Sequence, residues 1–288
     1  MLTNPRAERV RSVRALSKRS VRERTGRFAV EGPQGVREAV RYAAARVRDV
    51  YLTSEALERY ALDIVEPARA ANLWVHEVTP EVLAAMAETD APQGVLAVVD
   101  IAAAGLPDAA GSDAVSSDAR LAAVLASRPR LLVLLTNVRD PGNAGTVIRG
   151  ADAAGADAVL VSEASVDVHS SKVVRSTAGS LFHLPVVTGL DVDATLATLR
   201  AHGIRTYAAD GAGTTLLPDA DLTGPHCWVM GNEAWGLTQA VRDACDDVVR
   251  VPIHGRAESL NLAMAATVCL YASAGQQSGG ADGDTPAR

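Results

Sequence analysis

The 288-residue sequence predicts an α/β protein with two domains. Short apolar runs alternate with stretches of helical periodicity along most of the chain, which is typical of a mainly parallel sheet. Residues 102–119 are small, polar and rich in Gly, Ser and Asp, so they have too little apolar surface to join a core. The alternation predicts the fold class, and the polar stretch divides the chain in two.

The amino-terminal domain is predicted to span residues 1–101. It begins with a basic helix at 5–24 that carries a thin apolar stripe including Val10 and Val13. A strand closed by a glycine follows at 28–32, and then an amphipathic helix at 34–47. Its remaining elements are predicted to be strands at 50–52, 73–75 and 95–99 and helices at 55–71 and 80–88.

The second domain is predicted to span residues 130–274. A linker at 102–129, with at most one helical turn at 121–126, precedes it, and a disordered tail at 275–288 follows. Its alternating pattern predicts a mainly parallel, doubly wound sheet. The predicted strands are 131–136, 158–161, 185–188, 204–209, 227–230 and 248–252, and the predicted helices are 143–154, 170–178, 192–202, 236–245 and 259–273.

Charge is distributed unevenly along the chain. The formal net charge is −6, but residues 1–48 hold thirteen Arg or Lys against four Glu, so this segment carries +9 and the remainder −15. Such asymmetry favours a polyanionic partner for the basic segment. The residues expected to bind that partner are Arg11, Arg14, Lys18 and Arg19. A solvated basic helix without a partner is the alternative.

The Cys and His residues point away from metal chemistry. Three Cys and six His are scattered without a metal-ligand spacing, so we expect no metal site. No apolar run approaches the ~20 residues of a membrane span, and the basic amino terminus lacks the apolar core of a signal peptide. We therefore expect a cytoplasmic protein without a membrane partner.

A first candidate motif lies at 137–149, NVRDPGNAGTVIR, directly after an apolar strand. Its Pro and Gly predict a turn, and Asn143 stands where a helix N-cap belongs. Arg149 lies inside an otherwise small and apolar helix, where an Arg usually has an anionic or carbonyl partner. The junction lacks the GxGxxG of a dinucleotide site and the GxxxxGK[ST] of a nucleotide triphosphatase.

Two further loops near the carboxyl terminus complete the pattern. Residues 231–236, GNEAWG, and residues 252–261 each follow a short apolar run and precede a helical pattern. Loops that leave the carboxyl ends of adjacent parallel strands converge on one crevice, where open α/β sheets bind ligands. The two loops are therefore expected to build one site.

Together, residues 137–149, the GNEAWG loop and VPIHGRAESLN at 251–261 resemble the three motifs of the SpoU (TrmH-like) family of SPOUT RNA methyltransferases. FAVEGPQGVREAV at 28–40 and APQGVLAVV at 91–99 resemble the smaller, L30e-like α/β substrate-binding domain that often precedes the methyltransferase domain in that family. The resemblance implies a carboxy-terminal SPOUT domain with a mainly parallel sheet and a deep trefoil knot. It also implies S-adenosyl-L-methionine as methyl donor and a homodimer, for which Leu262, Ala265, Ala266, Cys269 and Leu270 offer an apolar helix face.

The resemblance also implies where the cofactor lies. By position, the backbone at Gly231, Val251 and Leu260 would hold the adenosyl moiety. Gly231 suits a close approach of the backbone to a ligand. Packing at strand ends and helix starts is compatible with the same three residues.

Catalytic roles are implied for five residues. Arg149 would act on the ribose 2′-hydroxyl with Asn143 nearby, and Glu233, Ser259 and Asn261 would complete the site. An Arg with a pKa above ~12 is a poor base at neutral pH, so we expect Arg149 to stabilise the developing alkoxide or a neighbouring phosphate. For Ser259, capping of the last helix is an alternative explanation.

The leading prediction is a 2′-O-ribose methyltransferase acting on 23S ribosomal RNA. The alternatives are a transfer RNA 2′-O-methyltransferase and a catalytically silent RNA-binding or ribosome-assembly factor on the same fold. The sequence departs from the common family pattern at Ala234-Trp235 and at Ile253-His254. Trp235 would either stack on a base or be buried against the knot.

Overall fold

A computed structural model describes residues 1–101 and 116–278. These residues form two compact units. The amino-terminal unit contains residues 1–101 together with 167–183, and the carboxy-terminal unit contains residues 116–166 and 184–278. Much of the predicted linker, 102–115, and most of the predicted tail, 279–288, lie outside the described residues.

The amino-terminal unit is built on a four-stranded mixed sheet. Its strand order is β1-β4-β2-β3, with β1 and β2 antiparallel to β4 and β3 parallel to β2. Val10, Val13 and Leu16 pack into a core with Tyr51 and Leu96. The strands are β1 Arg27–Glu31, β2 Val47–Leu52, β3 Trp74–Glu77 and β4 Val95–Asp100, and the helices are α1 Glu8–Ala15, α2 Arg19–Thr25, α3 Pro33–Tyr42, α4 Ser54–Arg59, α5 Glu66–Ala70 and α6 Pro80–Met86.

The carboxy-terminal unit contains a seven-stranded sheet in which every pair is parallel, which confirms the predicted α/β class. Its strands are β5 Leu131–Leu135, β6 Ala158–Ser162, β7 Val186–Leu190, β8 Arg205–Ala209, β9 Thr215–Leu216, β10 His226–Met230 and β11 Asp247–Arg250. Helices in this half of the chain are α7 Ser117–Ala126, α8 Pro141–Ala153, α9 Ser171–Ser176, α10 Val192–Ala201, α11 Gln239–Ala244 and α12 Leu262–Ser278, of which α9 belongs to the amino-terminal unit.

The strand order is β7-β6-β5-β10-β8-β11-β9, and it corrects one expectation. The loops after β10 and β11 were predicted to leave adjacent strands, but β8 lies between them. The neighbour of β10 on its other side is β5. Because the neighbours of a parallel strand are set by crossover connections, the order of apolar runs along the chain does not specify them.

Two predicted helices are interrupted in the structure. The basic helix predicted at 5–24 breaks into α1 and α2, because the carbonyls of Leu16 and Ser17 accept hydrogen bonds from the buried Arg22 guanidinium at 2.6 and 2.8 Å. The helix predicted at 55–71 contains a π-turn, in which the Tyr60 carbonyl accepts from the amides of Ile64 and Val65. Both interruptions follow from hydrogen bonds that a residue pattern does not reveal.

Ordered helix replaces part of both the predicted linker and the predicted tail. α7 occupies the linker region, where its Leu121, Val124 and Leu125 are buried in the carboxy-terminal core. α12 continues to Ser278, and the Gln276 side chain ties it to the amide of Leu222 at 2.9 Å. The run of apolar residues in α7 is short, which explains why this helix was predicted as a single turn.

Candidate active site

The first two motif loops leave neighbouring strands at the same edge of the parallel sheet. β5 ends at Leu135 and its neighbour β10 ends at Met230. Both the amide and the hydroxyl of Thr136 donate to the Met230 carbonyl at 2.9 Å, which joins the two loops where they begin. This carboxyl edge is where open α/β sheets bind ligands.

Helix α8 begins earlier than predicted, so Asn143 is not the residue that caps it. Asp140 is the N-cap, since its Oδ1 accepts from the Asn143 amide at 2.7 Å, and Pro141 occupies the first helical position. The capping interpretation of Asn143 is therefore wrong. An Asp followed by Pro is a recognisable start signal for a helix, and it was overlooked. The Asn143 carboxamide remains available for other contacts.

The GNEAWG loop is a closed turn. The amides of Asn232 and Gly236 donate to each other's carbonyls at 3.0 and 2.9 Å. The Asn232 side chain, only 6% exposed, donates to the Asn137 carbonyl at 2.7 Å and accepts from the Ala234 amide at 2.8 Å. A Cβ on Gly231 would lie 2.3 Å from the Gly236 carbonyl carbon, so only glycine fits where the loop folds back.

Three predicted catalytic residues form one hydrogen-bonded cluster. Asn261 Nδ2 donates to Asn143 Oδ1 at 3.0 Å, and Asn143 Nδ2 donates to Glu233 Oε1 at 3.4 Å. The Glu233 carboxylate also accepts from the amides of Arg139 and Asp140 at 3.2 and 3.0 Å. Each member comes from a different motif, so the cluster joins all three motifs.

The Glu233 carboxylate is held in its ionised form. Burial acts to raise its pKa, but hydrogen bonds from backbone amides, its own and those of Asp140 and Arg139, and from the Asn143 side chain outweigh burial and lower it below the ordinary value. A carboxylate with a lowered pKa is a weak proton acceptor near neutral pH. This geometry suits a residue that positions Asn143.

Asn261 also begins the last helix. Its Oδ1 accepts from the amides of Ala263 and Met264 at 2.9 and 3.3 Å, so Asn261 rather than Ser259 is the N-cap of α12. The capping alternative for Ser259 is therefore wrong. Ser259 is exposed two residues before the cap and, within the described residues, makes no hydrogen bond to a member of the cluster.

Arg149 lies on α8 six residues beyond Asn143, about 9 Å along the helix axis. Its side chain is exposed, and within the described chain it makes no hydrogen bond or ion pair. The expected intramolecular anionic or carbonyl partner is thus not found there.

The adjacent Gly150 allows α12 to pack closely, since a Cβ there would lie 3.0 Å from Thr267 Oγ1.

The remaining predicted residues lie apart from the cluster or beside it. Leu260 directly precedes Asn261, and its side chain is 36% exposed. Ile253, in the same loop, is 39% exposed. Val251 is half-buried at the end of β11. The predicted RNA-binding residues Arg11, Arg14, Lys18 and Arg19 are all exposed and belong to the amino-terminal unit.

In the described ranges 1–101 and 116–278, no group of three His, Cys, Asp or Glu side chains has the arrangement of a metal site. None of the helices there has the length and apolar character needed to cross a membrane.

A parallel sheet with a polar cluster at the carboxyl ends of neighbouring strands is the architecture of an α/β enzyme. Residues 130–271 match the SpoU rRNA Methylase family, and residues 7–97 match the MRM3-like substrate binding domain. The chain belongs to the SpoU family of RNA methylases, which confirms the resemblance seen in the motifs.

Curated relatives and solved structures cover nearly the whole chain. A 23S rRNA (uridine(2479)-2′-O)-methyltransferase of Streptomyces viridochromogenes is 33% identical, over 94% of this chain and 90% of its own length. A 23S rRNA (guanosine-2′-O-)-methyltransferase RlmB of Ralstonia nicotianae is 32% identical, over 86% and 95%. The crystal structure of the SpoU methyltransferase AviRb from S. viridochromogenes in complex with AdoMet has a TM-score of 0.75 and 32% identity, over 95% of this chain and all of that one.

Proposed function

We propose that this protein transfers a methyl group from S-adenosyl-L-methionine to a ribose 2′-hydroxyl of 23S ribosomal RNA. The hydrogen-bonded cluster of Asn143, Glu233 and Asn261 carries the proposal, because it gathers the three family motifs at the carboxyl edge of the sheet. The full-length relatives support it, since both are named as 23S rRNA 2′-O-methyltransferases. One modifies uridine and the other guanosine, so the target nucleotide stays open.

The motif loops fit the cofactor. Gly231 sits where the chain folds back on itself, against the backbone of Gly236 and Leu237. Ile253 and Leu260 leave apolar surface exposed on the loop after β11, which suits an adenine ring. The proposed contacts are the backbone at Gly231, Val251 and Leu260. When bound, the cofactor supplies an electrophilic methyl group on its sulfonium.

The side chains of the predicted catalytic residues would have distinct roles. Arg149 would place its exposed guanidinium beside the 2′-oxygen or an adjacent phosphate and stabilise negative charge as the hydroxyl gives up its proton to solvent water. Asn143 would orient the ribose, and Glu233 and Asn261 would hold Asn143 in place. Ser259, exposed beside the cluster, would contact the substrate. Positioning of this kind supplies a large part of the rate in group transfer.

The domain roles, location and assembly belong to the same proposal. Residues 1–101 would bind RNA and 130–274 would form the knotted methyltransferase domain, supported by the two family matches. Modification of ribosomal RNA by the relatives supports a cytoplasmic location.

A homodimer would use a different helix face from the one expected. Ala266, Cys269 and Leu270 are buried within the chain, whereas Met264, Val268 and Tyr271 are 63%, 43% and 53% exposed along one side of α12. Sedimentation at micromolar concentration should give twice the 29.9 kDa of the chain, and a monomer would contradict the assignment.

Mapping of ribose methylation in total RNA tests the function directly. RNA from cells with and without the gene should differ at one or a few 2′-O-methylated positions of 23S ribosomal RNA. A difference confined to transfer RNA would move the activity to that substrate. Identical maps would favour a catalytically silent binding protein.

A further inference from the structure

We propose that Trp235 is a stacking platform for a base of the RNA substrate, beside the ribose that is methylated, and that it contributes to selection of the target. The inference rests on the proposed function and deepens it. The sequence predicted one of two roles for Trp235, either stacking on a base or burial against the knot. Its side chain is 60% exposed, whereas Trp228 in β10 is fully buried. Burial within the chain is therefore the wrong alternative.

The Trp235 ring is displayed on a rigid support. It lies inside the closed turn between Asn232 and Gly236, whose amides and carbonyls pair in both directions. The buried Asn232 side chain fixes this turn to the Asn137 carbonyl and to the Ala234 amide. A large apolar ring held at the surface by such hydrogen bonds loses little conformational freedom when a ligand covers it.

The position of Trp235 in sequence places it close to the cluster of Asn143, Glu233 and Asn261. It follows Glu233 by two residues, so their Cα atoms are at most about 7 Å apart. Glu233 in turn holds Asn143 and the amide of Arg139. The Arg139 side chain is exposed and, among the described residues, has no ionic or hydrogen-bonding partner.

The exposed Trp235 indole and the exposed Arg139 guanidinium belong to two loops that are joined by the hydrogen bond from the Arg139 amide to Glu233. Such a pair of groups matches the chemistry of unpaired RNA, because bases that leave the helix stack on aromatic rings and the phosphates beside them bind Arg. The alternative occupant is a second copy of the chain. The cores of protein interfaces are depleted of charged residues, whereas these two joined loops carry the exposed charged residues Glu233 and Arg139. The two loops therefore favour RNA.

Two substitutions separate stacking from apolar packing. Trp235→Leu keeps apolar bulk but removes the π face, whereas Trp235→Phe keeps an aromatic ring. With unmodified 23S ribosomal RNA made by transcription, Trp235→Leu should lower kcat/KM for RNA by about tenfold or more, within the range for removal of one base stack. Trp235→Phe should stay within about threefold of the wild type. Cofactor affinity and sedimentation should not change in either variant.

Single abasic nucleotides then locate the base. Once the methylated position is mapped, a set of short RNAs is made in which each RNA lacks one of the bases beside that position. On one of these RNAs, Trp235→Leu and the wild type should have equal rates of methyl transfer. The rates are equal there because the base that stacks on Trp235 is already missing. A Trp235→Leu variant with unchanged kcat/KM would overturn the inference. So would a loss of the dimer in that variant, which would assign Trp235 to the interface.

Fluorescence keeps this test separate from the proposed activity. In a Trp74→Phe background the emitting residues are Trp235 and the buried Trp228. Stacking predicts that the unmodified RNA quenches Trp235, even if no methyl transfer is detected and the proposed function fails. Emission that RNA leaves unchanged would contradict stacking while methyl transfer by the wild type would still support the function.

Discussion

Asn261 donates a hydrogen bond to Asn143 over 3.0 Å, which joins the start of α12 to the start of α8 across 118 positions of sequence. Asn261 caps α12 with its other side-chain atom, Oδ1. One carboxamide therefore stabilises a helix and orients a candidate catalytic residue at the same time. The two roles can be separated by substitution.

Replacement of Asn261 by Asp should reduce activity with little effect on stability. Asp keeps an oxygen that caps α12 but presents another oxygen, instead of an amide donor, to Asn143 Oδ1. Methyl transfer should fall by about tenfold or more, because a small misplacement of a reacting group is costly. Thermal unfolding should change little, while Asn261→Ala should also lose about 1 kcal/mol of stability with the cap. A fully active Asp variant would show that the hydrogen bond to Asn143 is dispensable.

Arg149→Ala should abolish most methyl transfer without destabilising the fold. The side chain is exposed and unpaired in the described part of the chain, and Ala is a better helix former. The rate of a single turnover should fall by a factor on the order of 10², the scale for one well-placed electrostatic group. Arg149→Lys should recover little, since a point charge cannot reproduce the planar fork.

Thermal unfolding and cofactor binding provide the controls for Arg149. Both should match the wild type in the Ala and Lys variants. A destabilised Ala variant whose folded fraction methylates RNA normally would assign Arg149 a structural role instead.

Gly231→Ala should disrupt the GNEAWG loop. The added Cβ would lie 2.3 Å from the Gly236 carbonyl carbon and 2.6 Å from the Leu237 nitrogen, and both are backbone atoms that cannot rotate away. Calorimetry should show cofactor affinity reduced by about tenfold or more, because the displaced loop carries a proposed backbone contact. Gly255→Ala is the matched control, since a Cβ there meets nothing within 4 Å. Equal cofactor affinity in the two variants would remove Gly231 from the cofactor site.

Neutralising the exposed basic residues of the amino-terminal segment should weaken RNA binding. The variant changes Arg11, Arg14, Lys18 and Arg19 to Gln. In a plot of the logarithm of RNA affinity against the logarithm of salt concentration, its slope should be shallower by roughly one unit for each phosphate that it no longer binds. Cofactor affinity should stay the same. Unchanged RNA affinity would mean that this surface is only solvated.

Arg22 provides the contrast within the same segment. It is 4% exposed, and its guanidinium binds Asp167 Oδ2 at 3.0 Å as well as the two carbonyls at the break between α1 and α2. Arg22→Met should leave the Asp167 carboxylate without its guanidinium partner and cost about 3 kcal/mol in the free energy of unfolding. Neutralising the four exposed residues should not have this cost.

The Arg22–Asp167 pair should also give the amino-terminal unit a pH-dependent stability. Burial acts to raise the pKa of Asp167, but hydrogen bonds from Arg22 and from the His169 amide outweigh it and lower the pKa. The stabilisation is therefore present above the unfolded Asp pKa of about 3.9 and lost as pH falls through the lower folded value. In denaturant titrations the difference between wild type and Asp167→Asn should shrink as pH falls below about 4. A difference that grows on acidification below about pH 4 would contradict the pair.

Local patterns predicted most of the elements, and the misses have several causes. The alternation of apolar runs located six strands of the large sheet, but the two-residue β9 is too short to leave a pattern. Asn143 was misassigned as a cap because the Asp140-Pro141 signal was overlooked. The break before α2 and the π-turn after Tyr60 depend on hydrogen bonds between near neighbours in sequence, and the buried face of α12 depends on packing against other elements. Residue patterns record a residue's local preference but not these particular partners.

The site was predictable only in part. The motifs named Asn143, Glu233 and Asn261, and the structure brings these three together. The supporting hydrogen bonds of Asn232 and Thr136 were missed, because both act through backbone groups on a neighbouring loop. Asn137 has a left-handed backbone, φ 53°, and an Asn directly after a strand was the available signal.

The most direct test of the central claim is the chemical position of the transferred methyl group. Purified protein should be incubated with methyl-labelled S-adenosyl-L-methionine and unmodified 23S ribosomal RNA, and the RNA then digested to nucleosides. The account predicts label in a single 2′-O-methylnucleoside, and almost none with Arg149→Ala under the same conditions. Label on a base, or equal incorporation by the Arg149→Ala protein, would contradict it.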